Sequence, residues 1–335
     1  MALKTIRESI NETLISEMRR DESIILIGED LAGGANANGG GEAIGGVFGL
    51  TKGLVSEFGR QRVIDTPITE SAFVGMAAGA ALTGLRPVVE LMFVDFIGVC
   101  FDQIYNQAAK FRYMFGGKTS TPLVIRATVG AGFRAGPQHS QTLHNMLTAV
   151  PGLKVVMPAN AYDAKGLLTT ALRGDDVVVF LEPKVYYDEA CDVPDDSYTV
   201  PFGEAKFLTE GDDVTIVAIS TMVKNTLAAH KKLSAEGISA EVIDPRTTSP
   251  LDIESIIDSV HNTGRLVIVD EAPPRCSVAR DIAAQVCDQA FEALKSPIKT
   301  VTSPHCPVPF APNLEDLYIP SVDHIAKTAK QLMTC

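Results

Sequence analysis

Residues 87–93, PVVELMF, open a stretch that continues through CFDQIYNQAAKFRYM (100–114), TPLVIRAT (121–128), LKVVMP (153–158), AYDAKGLLTTALR (161–173) and DVVVFLE (176–182). The four short runs are apolar almost throughout and lack the alternation of a half-exposed strand, and helix-like stretches separate them. A strand apolar on both sides needs cover on both faces, which is the condition of a parallel sheet with helices above and below. The fold class read from this stretch is α/β.

The same alternation extends in both directions. Towards the N-terminus, Ile6, Ile10, Leu14 and Met18 recur every four residues and predict an amphipathic helix leading into the buried strand SIILIG (23–28). Towards the C-terminus, KVYYDEACDVPDDSYTVPFG (184–203) has two prolines, an acidic cluster and no sustained apolar period, and reads as a linker. Beyond it come VTIVAIS, a helix near 222–236, AEVID, a helix opening in SPLDIESII, RLVIVDE and a helix near 277–294. Ser249 is the expected N-cap of the helix in SPLDIESII, with Pro250 at its first position. Two α/β domains are therefore expected, 1–183 and 204–335, joined by 184–203, in agreement with a length of 335 residues.

Composition narrows the function. A net charge of -12 without a Lys/Arg cluster excludes a nucleic-acid surface, since phosphates call for concentrated positive charge. The six cysteines form no CxxC pair or zinc-like spacing, and MALKTIRESINETL has no secretory apolar core, so a reduced, cytoplasmic protein is expected. Runs such as VVVFL and LVIVD are far shorter than the ~20 residues of a membrane span.

Two glycine motifs are decoys. GGANANGGGEAIGG (33–46) fits no GxGxxG frame and reads as a flexible loop, while GGKTS (116–120) resembles the end of a Walker motif whose first glycine is replaced by Arg112. His144 lies five residues after His139, a poor spacing for a metal pair on one helical face. No GxSxG elbow, HExxH motif or carboxylate cluster with metal-site spacing is present.

Two residues stand out. Glu70 sits between the strand-like RVIDTP (62–67) and SAFVGMAAGAALTGL (71–85), a helix so rich in Gly and Ala that something must approach its backbone. Burial there favours the protonated carboxyl and a helix N-terminus the ionised one, a balance suited to proton exchange. From the residues alone, an ordinary first-turn helix charge is the favoured explanation. His139, in GFRAGPQHSQTLHN (132–145) after a parallel strand, is placed where ligand sites of α/β sheets collect, or is a plain surface residue.

Residues 65–114 and 136–168, together with IGEDLAGG, EVIDPRTTSPLD and RLVIVDEAPPRCSVARDI, resemble the beta subunits of thiamine-diphosphate-dependent 2-oxo acid and acetoin dehydrogenases over nearly the whole chain. The resemblance implies a pyrimidine-binding domain, then a transketolase-like C-terminal domain, in an assembly of two alpha and two beta chains. It implies thiamine diphosphate at the interface, with magnesium held mainly by the alpha subunit's GDG signature, which this sequence lacks. By the same resemblance Glu70 bonds the pyrimidine ring nitrogen and so promotes the imino tautomer that deprotonates the thiazolium carbon. Glu29 and Ile68 line that pocket, Phe96 stacks on the pyrimidine, and His139 faces the substrate and the lipoyl arm. Carbonyls near Ile125, Ala171 and Leu172 match a potassium site whose two further positions are here Gly174 and Asp176.

The segments GGVFGLTKGL, TESAF, ELMFVDFIGVCFDQI and KFRYMFGGK are most similar to acetoin dehydrogenases. This implies cleavage of acetoin to acetaldehyde with transfer of the acetyl unit to the lipoyl domain of a dihydrolipoyl acetyltransferase, His139 acting as base on the hydroxyl. Pyruvate or a branched-chain 2-oxo acid is the alternative substrate. The alternative of another class is a non-catalytic assembly subunit docking the acyltransferase, to which the acidic balance is suited.

Overall fold

The computed structural model describes residues 1–33 and 45–334. The glycine-rich run therefore lies, from 34 to 44, outside the described residues. Two compact units divide the chain: Met1–Val129 with Met146–Pro201, and Gly130–Asn145 with the residues from Phe202 onward.

The first unit is built on a parallel sheet. Its strands are β2 (Ile24–Gly28), β3 (Val63–Asp65), β4 (Arg86–Phe93), β5 (Val124–Val129), β6 (Lys154–Val156) and β7 (Val178–Pro183), while β1 (Ala2–Thr5) pairs antiparallel with β8 (Ala190–Val193). Within the unit the parallel strands run in the order β6-β7-β5-β4-β2-β3. Every residue of β2, β5 and β7 is buried, as continuous apolar runs require. The helix Ile6–Arg20 buries all four of its expected positions, and a capping box between Thr5 and Glu8 starts it. The stretch expected as a linker has structure of its own in β8 and a 3-10 turn at Lys184–Tyr186.

The second unit holds β9 (Lys206–Thr209), β10 (Val214–Ala218), β11 (Ala240–Asp244), β12 (Thr247–Ser249), β13 (Leu266–Asp270) and β14 (Lys299–Thr302). Its five-stranded sheet has the order β14-β13-β10-β11-β9, parallel except for β9. One expected helix start is corrected. Ser249 closes β12 and meets Pro250 through a cis peptide, and the helix begins at Ile253. Asp252 caps it, its side chain accepting from the Ser255 amide at 3.1 Å. A cap directly flanks the first helical residue and bonds an amide of the first turn, a place that Asp252 holds and Ser249, three residues earlier, does not.

One apolar run conceals a charge. Arg126, in the middle of β5, is 1% exposed. Its guanidinium donates from Nε and Nη2 to the two carboxylate oxygens of Glu182 (2.7 and 3.1 Å) and from Nη1 to Glu90 (2.9 Å), and the Tyr187 hydroxyl donates to Glu182 at 2.5 Å. Burial pushes the Glu90 carboxyl and the Tyr187 phenol up, Tyr187 well above its ordinary range. One cation here answers two carboxylates on the flanking strands β4 and β7. Arg126→Met should destabilise the protein by about 3–5 kcal/mol, because two buried acids lose their partner. Urea unfolding followed by circular dichroism measures this, and an unchanged midpoint would show that the carboxylates do not depend on the guanidinium.

Candidate functional site

Glu70 is the first residue of the helix Glu70–Leu82 and is 8% exposed. The strand β3 ends five residues earlier at Asp65, and the connection between them is exposed, with Ile68 78% exposed. The small residues of this helix have a partner in the same chain: a Cβ at Gly75 would stand 2.8 Å from Oε1 of Gln103. Gln103 opens a π-helical turn, Gln103–Ala108, that follows the helix Ile97–Asp102. Gly79, in contrast, faces open space.

Glu29 immediately follows β2 and is half-buried. Burial first, and then the charges of Glu70 and Asp30, hold its carboxyl above the usual range. Glu70 also acts on Cys100, whose thiol burial and that neighbouring charge push up to about 12. The backbone around Glu29 is fixed by the Asp65 carboxylate, which accepts from the Ala32 amide at 2.6 Å, and by the Asp30 carbonyl, which accepts from the Gly46 amide.

Phe96 ends a 3-10 turn that begins just after β4. It meets Phe93 edge-on with ring centroids 5.8 Å apart; Phe93 meets Phe48 at 5.5 Å, and Phe48 meets Tyr187 at 5.5 Å. An aromatic chain thus runs from the buried charge cluster to Phe96. Glu29, Ile68 with Glu70, and Phe96 follow the carboxyl ends of β2, β3 and β4, three neighbouring parallel strands. Ligands of open α/β sheets bind at these ends. A shielded carboxylate, a second acid coupled to it and an aromatic ring have the chemistry to bind a heterocycle bearing ring nitrogens.

His139 belongs to the other unit. It lies in the irregular stretch 130–145, is half-buried, and its amide donates to the Gly136 carbonyl at 3.3 Å. A cavity of about 300 Å³ opens beside this loop, between Pro137, Gln141 and Leu143 and the facing Pro273, Cys306 and Tyr318. Burial, followed by the charge of Glu271, pushes the Tyr318 phenol up to about 12. His144 is fully buried, with Nε2 3.2 Å from Oδ2 of Asp270.

Of the carbonyls expected to meet potassium, that of Leu172 faces a cationic side chain, as does that of the neighbouring Gly174. Arg86 donates to the Leu172 carbonyl at 3.0 Å and to the carbonyl of Gly174, and Asp176 pairs with Arg112 at 2.5 Å and Lys154 at 3.0 Å. The Ala171 carbonyl accepts the Gly174 amide, and Ile125 lies in the middle of the sheet between β4 and β7. Arg86, Arg112 and Lys154 are paired here with the carboxylates of Asp175 and Asp176. Among the described residues, no group of three or more His, Cys, Asp or Glu is arranged to hold a metal ion.

Sequence reading missed the acids that hold the His139 loop. Glu271 and Glu315 accept backbone amides from Ala131, Gly132 and Arg134, which are 140 to 183 residues away in the chain. Glu271 directly follows a buried strand and Glu315 lies in the middle of the mostly exposed helix Pro312–Tyr318, and nothing local distinguishes them from helix-cap or solvent carboxylates.

Residues 3–189 match the family model for the transketolase pyrimidine-binding domain, and 203–325 that for the transketolase C-terminal domain. The chain is 57% identical to acetoin:2,6-dichlorophenolindophenol oxidoreductase subunit beta of Cupriavidus necator, covering 98% of this chain and 97% of the relative. The protein of the same name from Bacillus subtilis is 54% identical at the same coverage. The pyruvate dehydrogenase E1 beta subunit of Rickettsia felis is 44% identical over 98% of both chains. Among solved structures, an inactive beta4 tetramer of a split-gene transketolase superposes with a TM-score of 0.77 at 22% identity, covering 98% of both chains. In the described residues, no helix is long and apolar enough to cross a membrane. This chain belongs to the family of oxidoreductase and dehydrogenase beta subunits formed by a transketolase pyrimidine-binding domain followed by a transketolase C-terminal domain.

Proposed function

We propose that this chain is the beta subunit of a thiamine-diphosphate-dependent oxidoreductase that cleaves acetoin in partnership with an alpha subunit, two copies of each. The observation that carries the proposal is the level of likeness: 54–57% identity to two acetoin oxidoreductase beta subunits over the whole chain, against 39–44% for the pyruvate dehydrogenase beta subunits compared. The residues at the ends of β2, β3 and β4 support a pyrimidine as the ring they receive.

Thiamine diphosphate, when bound, supplies a nucleophilic carbon that can cleave the bond beside a carbonyl. Glu70 would hold the pyrimidine by a hydrogen bond to a ring nitrogen, which its burial would strengthen by excluding water. Glu29, whose carboxyl burial and then the charges of Glu70 and Asp30 hold above the usual range, would line the same pocket. Phe96 would stack on the pyrimidine, and Ile68 would line the same pocket. The diphosphate and its magnesium fall to the alpha subunit. His139 accepts the proton of the acetoin hydroxyl at an imidazole nitrogen, the step that permits carbon–carbon cleavage. The acetyl unit then passes to the lipoyl group of a dihydrolipoyl acetyltransferase.

Three measurements on the purified alpha–beta complex test this reading. With an artificial electron acceptor, acetoin should be turned over much faster than pyruvate or branched-chain 2-oxo acids; rapid pyruvate oxidation without acetoin oxidation would overturn the substrate. Glu70→Gln should cut turnover by about 10²–10⁴-fold while the complex elutes unchanged on size exclusion. Full activity in that variant would favour a subunit that only assembles and docks. His139→Ala should lower acetoin turnover by about 10²-fold or more with cofactor affinity, measured by titration calorimetry, little altered. Undiminished turnover would move the base to another residue.

A further inference from the structure

We infer that Glu271 is a positioning residue for His139, acting through the backbone of the loop that carries it. The inference rests on the reading of His139 as the residue that handles the substrate proton.

Residues 130–143 form neither helix nor strand, so their amides lack the partners that a ladder would supply. Buried acids of the second unit take that place. Glu271, 2% exposed, accepts from the Ala131 amide at 2.5 Å on the incoming limb, and the same oxygen lies 3.4 Å from Oγ1 of Thr142 on the outgoing limb. The Gly130 amide donates to the Gln141 carbonyl at 3.2 Å and ties the two limbs together at the same level. Glu315, fully buried, accepts from the Gly132 amide at 2.6 Å, the Arg134 amide at 3.2 Å and the Arg134 guanidinium at 3.0 Å. One residue before Glu271, Asp270 holds His144.

The fit is close enough to constrain the sequence. Gly130 has φ +97°, and a Cβ there would lie 3.2 Å from Oε2 of Glu271 and from Cγ2 of Thr221. At Gly136, φ +74°, a Cβ would lie 3.2 Å from the Phe310 ring. Asp270 ends β13, whose residues are all buried, and Glu271 follows it directly. His139 is therefore carried between two limbs fastened to the end of a rigid strand. Glu315 secures the incoming limb only, whereas Glu271 reaches both, so Glu271 has the larger control over where the imidazole stands. Charge-assisted bonds to buried amides are the stronger kind, and leaving such an amide unmet costs more than the bond returns.

Misplacing a reacting group by about 1 Å can cost 10²-fold in rate, so Glu271→Gln in the assembled alpha–beta holoenzyme should lower kcat for acetoin about 10-fold or more with KM little changed. The discriminating measurement is a double-mutant cycle with His139→Ala, with thermal unfolding recorded for each protein. If Glu271 acts through His139, adding Glu271→Gln to the His139→Ala enzyme produces no further fall in kcat, although any loss of thermal stability is the same in both backgrounds. Additive kcat losses, with His139→Ala itself strongly impaired, would reduce Glu271 to a structural role and overturn the inference alone. Wild-type turnover in His139→Ala would instead remove the base reading and this inference with it. Glu271→Ala extends the series; if it fails to assemble, the Gln variant, which keeps the side chain's shape and one acceptor oxygen, still completes the cycle.

Discussion

A guanidinium cut off from water persists only where its charge is answered, and inside this sheet Arg126 is answered by Glu90 and Glu182 across three adjacent strands. Neutral apolar residues could pack there in several registers, since dispersion is indifferent to direction. The bidentate pairing to Glu182 and the single bond to Glu90 are not. They fix β4, β5 and β7 against each other, and Glu90 lies only a few residues ahead of the turn that delivers Phe96. Tyr187 and Phe48 carry the same constraint outward as ring contacts. The placement of Phe96 thus leans on an ionic cluster set back in the sheet.

The parallel sheet adds a second constraint. Its strands are covered on both faces, so ligands are met at their carboxyl ends, where backbone amides and helix starts remain available. Glu29, Glu70 and Phe96 all occupy such ends. Burial, and then the charge of Glu70, hold the Glu29 carboxyl above its usual range at one of these ends.

Much of this was legible from residue order alone, because the determining signals are local. Continuous apolar runs gave the buried strands, the four-residue period of Ile6 to Met18 gave the first helix, and the strand-to-helix change around Glu70 located that acid. Where the sequence misled, a local pattern was outbid by a neighbour: Ser249 with Pro250 resembles a helix start, but Asp252 is better placed to meet the free amide of Ser255. Arg126 within VIRAT gave no hint of full burial, because its partners lie 36 and 56 residues away. The allegiance of residues 130–145 to the second unit was equally hidden, since it rests on acids reached only after the chain has completed most of another sheet.

That allegiance has a bearing on biosynthesis. Ala131 leaves the ribosome 140 residues ahead of the carboxylate that receives its amide, and Gly132 waits through 183 for Glu315. Throughout that interval the amides of Ala131 and Gly132 await these two carboxylates, so a nascent chain carries the segment without its final fastening until residues 271 and 315 emerge. Cutting the gene between 184 and 203 would for the same reason yield a C-terminal fragment that is missing an internal piece of its own body.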